Sequence, residues 1–138
     1  MKARIILAGS VTVLVAAAAG VLSVVRAQQL GTPTRTVLLK HDLQAQGEEG
    51  VLVLVEMPVG SREGRHTHPA EVFVYVLEGT LKLDREGKPS ASYKAGETFF
   101  VERGIVHEGM NGGNTPVKAV AVFVTDKGKP MTTQVAAK

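Results

Sequence analysis

Four histidines, His41, His66, His68 and His107, are the side chains of this 138-residue chain best suited to chemistry. His66-Thr67-His68 puts two imidazoles on one side of an extended segment, because side chains along such a segment alternate with period 2. Two neutral imidazoles converging from one side chelate a borderline-soft divalent ion. The same pair also fits two solvated loop histidines, so the surroundings matter. Gly60 lies six residues before His66, Pro69 fixes the exit from His68, and the carboxylate of Glu71 follows closely. A second block downstream reads Gly96, Glu102-Arg103-Gly104, His107 and Asn111. His41 has no comparable context and reads as a structural or exposed histidine.

The elements that must position these groups read as strands. Thr36–Leu39, Val51–Val55, Val72–Leu77, Thr80–Asp84, Ser92–Lys94, Thr98–Val101 and Val117–Thr125 are β-branched, aliphatic or aromatic. Gly47, Pro58, Gly60, Gly79, Gly87, Pro89, Gly96, Gly104, Gly112, Gly113 and Pro116 separate them at short intervals. Many short strands between Gly/Pro turns predict a sandwich or barrel. No segment after residue 27 shows a 3.6-residue apolar period of helical length. Phe73, Phe99, Phe100 and Phe123 read as core, Tyr75 as core or as a pocket-lining hydroxyl, and Glu108 as facing away from His107. Asn111 reads as ordering the glycine turn at 112–113.

Residues 1–27 read as an export signal. Lys2 and Arg4 precede an uncharged apolar run from Ile5 to Val25, and Val25-Arg26-Ala27 offers a cleavage site. The run is also long enough for an uncleaved anchor. Either way the expected location lies outside the cytoplasm: periplasmic or secreted, or held at the inner membrane. Without cysteine there is neither a disulfide framework nor a lipid attachment site. The net charge of +3 is a targeting effect, since the remainder without Lys2, Arg4 and Arg26 has 13 basic against 13 acidic residues. A neutral domain with no basic stripe is not built for nucleic acid or for anionic membrane beyond the anchor. The expected organisation is signal 1–27, tether 28–35, barrel 36–128 and flexible tail 129–138.

The two blocks together resemble the cupin superfamily, specifically its short single-domain type-2, quercetin-dioxygenase-like members. Gly60, His66, His68 and Gly79 match the first cupin motif. Gly96, Gly104, His107 and Asn111 match the spacing of the second, with Glu102 where the family carries proline. The resemblance spans 60–111. It implies an all-β fold, a single double-stranded β-helix or jelly-roll barrel, in which His107 converges on His66 and His68 around a divalent transition metal (Fe, Mn, Ni, Zn or Cu).

The family's carboxylate ligand should stand seven residues before Gly79, where this chain has Val72. Glu71 is one residue early, and a one-residue slip moves a strand side chain to the opposite face. If the register follows Gly79, Glu71 points away. If a bulge before Gly79 compensates, Glu71 reaches the ion. Three His plus Glu71 suits octahedral Fe, Mn or Ni, whereas three His alone suits Zn, Cu or Fe. Two functions stay open at this point. One is a metal-dependent enzyme on a small organic substrate (a dioxygenase, isomerase, lyase or decarboxylase), with Glu71 as ligand or base and Tyr75 orienting substrate. The other is a non-catalytic module that binds metal or a small ligand. A homodimer paired through sheet edges is the expected assembly.

Overall fold

A computed structural model of the chain describes residues 31–136. The signal segment and residues 28–30 of the expected tether lie outside the described residues. Ten strands follow one another: β1 (Thr34–Asp42), β2 (Glu48–Met57), β3 (His66–Thr67), β4 (Ala70–Glu78), β5 (Thr80–Arg85), β6 (Ala91–Lys94), β7 (Thr98–Val101), β8 (His107–Met110), β9 (Val117–Asp126) and β10 (Thr133–Gln134). They form two five-stranded antiparallel sheets, ordered β1-β2-β9-β4-β7 and β10-β3-β8-β5-β6. The fold is all-β, the double-stranded arrangement expected from the sequence.

Period-2 alternation builds the core between the sheets. Val51, Val53, Val55 and Met57 of β2 face inward, as do Val72, Val74 and Val76 of β4 and Val117, Ala119, Ala121 and Phe123 of β9. Leu81 and Leu83 of β5 close the opposite side. Each fully buried valine or leucine contributes about 1.5–3 kcal/mol relative to exposure. Phe73, expected in the core, is instead 51% exposed on the outer face of β4. A continuous apolar run has apolar residues on both faces, so composition alone could not say which were inside.

Two boundaries also differ from expectation. Thr34 and Arg35 belong to β1 rather than to a tether, paired with Glu56 and Val55. The expected loose tail contains β10, whose Thr133 and Gln134 pair with Thr67 and His66. A two-residue polar strand has no hydrophobic pattern to announce it; its partners across the sheet define it.

Gly79 turns β4 into β5 at φ +77°, and a Cβ there would collide with the Pro116 carbonyl and Val117. Only glycine fits that conformation and that close approach.

Candidate metal centre

His66 on β3 stands directly opposite His107 on β8, so the two side chains share a face. His68 follows two residues after His66 and returns to that face. All three are at least 95% buried, and their ring centroids lie 4.3–4.9 Å apart. One ligand atom from each falls within 4.8 Å of the others.

The far nitrogen of each ring is tied to the backbone. Nδ1 of His66 donates to the Gly64 carbonyl at 2.7 Å, Nδ1 of His68 to Met131 at 2.6 Å and Nδ1 of His107 to Ile105 at 2.9 Å. A carbonyl can only accept, so each Nδ1 must carry the proton, and in the neutral ring Nε2 keeps a free lone pair. Fixing the outer nitrogen in this way orients a histidine for metal ligation. The Nε2 atoms of His66 and His68 are 3.2 Å apart. Two acceptors at that distance repel unless a cation lies between them, and both can reach one ion at bond lengths of about 2.0–2.1 Å. The donor set therefore fits a divalent transition metal.

Burial depresses the basicity of all three rings and keeps them neutral. His68 is pushed down to about 3, by burial first and by the neighbouring imidazoles second, against the opposing pull of the Met131 carbonyl. Phe123 packs edge-on against its ring at 5.0 Å.

Glu71 is not part of this cluster. Ala70, Val72, Val74 and Val76 alternate inward without interruption, so Glu71 is exposed on the outer face. A bulge does occur before Gly79, between Val76 and Glu78, but it lies beyond Glu71 and leaves its parity unchanged. Val72 holds the inward position and lines the cavity beside His68 and His107. Tyr75 likewise points out, 46% exposed among Phe73, Phe100 and Val122, and does not line the metal cavity. His41 is exposed on β1. Glu108 faces away from the cluster in a two-pronged ion pair with Arg62. Asn111 accepts from the Gly113 amide and donates to the Met57 and Thr115 carbonyls, ordering the turn as expected. Glu102, in the proline position, pairs with Lys88, and its carbonyl closes the turn to Ile105.

The cluster opens on a cavity of about 40 Å³, walled by apolar residues including Val74, Leu83, Val101 and Phe123. Two charged residues absent from the sequence-based set also line it: Arg35 of β1 and Glu63 of the loop before β3. Glu63 is a matched residue of neither motif block. Arg35 fell in the expected tether and gave no hint.

Residues 53–123, just over half the chain and inclusive of all three histidines, match the cupin domain family. A germin-like protein, subfamily 2 member 1, of Arabidopsis thaliana is 38% identical over 74 residues, covering 50% of this chain and 34% of the relative. The matched region thus spans about a third of the length of such curated relatives. Among solved structures, a double-stranded β-helix protein from Klebsiella pneumoniae superimposes with TM-score 0.61 at 24% identity, covering 75% of this chain and 87% of that one. A recombinant oxalate oxidase in complex with glycolate gives TM-score 0.56 at 27% identity, covering 62% and 45%. With sequence and architecture agreeing across the strands that carry the three histidines, the chain belongs to the cupin family.

Proposed function

We propose that this protein is an exported cupin that holds one divalent transition metal through His66, His68 and His107 and acts on a small organic substrate as a metal-dependent oxygenase or related enzyme. The supporting observation is the backbone lock on every Nδ1, which leaves three neutral Nε2 lone pairs free in a group whose ligand atoms lie within 4.8 Å of one another. With Val72 in place of an inward carboxylate, the donor set favours Zn, Cu or Fe over Mn or Ni. Such an ion supplies Lewis-acid polarisation of a bound oxygen or an O₂-reactive centre. The chain itself supplies the orientation of the imidazoles, an apolar enclosure that excludes water, and charged groups at the cavity. The alternative is a binding module without turnover.

Elemental analysis of the purified protein tests the metal assignment. About one ion per chain is expected, and none in the His66→Ala/His68→Ala double variant. Full metal retention in that variant would refute the assignment. Turnover of a small enediol or hydroxy acid under air separates enzyme from binder.

A homodimer is the proposed assembly, here paired through a sheet face in place of the sheet edges expected from the sequence. Phe73, Tyr75, Leu77 and Val122 lie exposed on the outer face of the β1-β2-β9-β4-β7 sheet. A contiguous apolar surface on a soluble domain marks a contact site. Light scattering after chromatography reads the mass, and Tyr75→Lys should shift it to the monomer.

A further inference from the structure

We propose that Arg35, held by Glu63, is the specificity-determining residue of the metal cavity and receives the carboxylate of a small monoanionic acid. This inference rests on the reading of the three-histidine cavity as a metal site for a small substrate, and it names the substrate class.

Arg35 sits opposite Val55 in the β1-β2 ladder. Directly opposed residues project to the same side of a sheet, and Val55 is an inward residue that lines the cavity. The Arg35 side chain therefore crosses the edge of the barrel toward its interior and keeps 31% of its surface in solvent. That is the position of a group at a cavity mouth. Its Nη2 donates to Glu63 Oε1 at 2.6 Å. Glu63 is itself fixed: its side chain is 12% exposed, and its amide donates to the Gly109 carbonyl. A Cβ at Gly109 would collide with the Glu63 carboxylate, so the glycine in β8 leaves the space that carboxylate occupies.

The Arg35 side chain makes one hydrogen bond among the described residues, while a guanidinium carries five N–H donors in a planar fork. The unused edge matches a carboxylate. The rest of the wall is mostly aliphatic and aromatic, so Arg35 is the charged donor an entering anion would meet. All three imidazoles experience its positive charge, which places it electrostatically within the same site.

Size and charge narrow the ligand. A cavity of about 40 Å³ holds roughly three waters at about 10–15 Å³ each. That suits an acid of two or three carbons. The Glu63 carboxylate already offsets part of the Arg35 charge, which suits a monoanion better than a phosphate dianion.

Calorimetric titration of the zinc-loaded full chain with glycolate, propionate, propionamide and inorganic phosphate tests the proposal, with metal content measured in parallel. The ion itself attracts carboxylates, so the decisive comparison is between variants. Arg35→Gln should keep its metal and lose at least tenfold in affinity for the acids, with propionamide unaffected. Arg35→Lys should recover part of the loss. Unchanged acid affinity in metal-replete Arg35→Gln overturns the role of Arg35 and leaves the metal reading intact. Phosphate binding more tightly than either acid overturns the carboxylate class. A wild-type protein that takes up none of zinc, copper or iron overturns the metal reading and this inference with it.

Discussion

His66 Nε2 lies 3.2 Å from His68 Nε2, although each ring must donate from its opposite nitrogen to a backbone carbonyl. Two buried lone pairs forced together are an unfavourable arrangement that a shared cation relieves. A metal that binds only the folded state raises stability by mass action, by about 2.7 kcal/mol at a hundredfold excess over its Kd. Thermal unfolding with and without chelator should therefore differ by several degrees. The difference should vanish in His107→Ala, which removes the ligand opposite His66.

Glu71 and Val72 should behave in opposite ways. Glu71→Ala changes an exposed side chain and is expected to leave metal content unchanged and stability within about 0.5 kcal/mol. Val72→Glu puts a carboxylate at the inward position. The metal-free variant should lose roughly 2 kcal/mol or more from burying that group, and added metal should restore much of it. Chemical denaturation of both forms with and without ion reads the difference.

The C-terminal segment should matter to the metal. His68 Nδ1 is held by the Met131 carbonyl, with the Thr132 hydroxyl 3.3 Å away. Truncation after Pro130 removes that hold and β10. Loss of an outer partner of a ligating histidine typically costs 10–100-fold in metal affinity, which a competitive chelator titration would measure. Unaltered affinity would show that β10 plays no part in orienting His68.

Stability of the metal-free protein should fall with acid. The folded-state basicity of His66, His68 and His107 is depressed by burial, for His68 to about 3 from the ordinary 6.5. Between those values the unfolded chain binds the extra proton, so unfolding becomes easier as pH drops. The stability is fully present above about 6.5 and is lost progressively below it, by roughly 1 kcal/mol per pH unit for His68 alone. Urea unfolding from pH 7 to pH 4 on metal-free protein checks the slope. A His66→Ala/His68→Ala variant should flatten it.

Asn111→Ala should be among the more damaging single changes outside the histidines. The Asn111 amide is 2% exposed and bonds the Met57 and Thr115 carbonyls and the Gly113 amide. Removing it strands buried partners at about 1–3 kcal/mol, readable as a fall in Tm with metal stoichiometry preserved.

The sequence by itself determined the all-β class, most of the longer strands and the three candidate histidines, while the meeting of His107 with His66 and His68 was implied only by the family resemblance. Period-2 alternation and glycine turns are local properties, and the two motif blocks carry His66, His68 and His107 at recognisable spacing. It also posed the question of Glu71 against Val72 without answering it. Parity along β4 decides which of the two faces inward, and that parity follows from which residues pair with β9, a long-range fact. The outward placement of Phe73 and Tyr75 was hidden for the same reason. The tertiary structure alone brought Met131 to His68 from 63 residues away and set Arg35 against Glu63 across 28. Neither pair has a local signature, because each joins segments that meet only when the barrel closes.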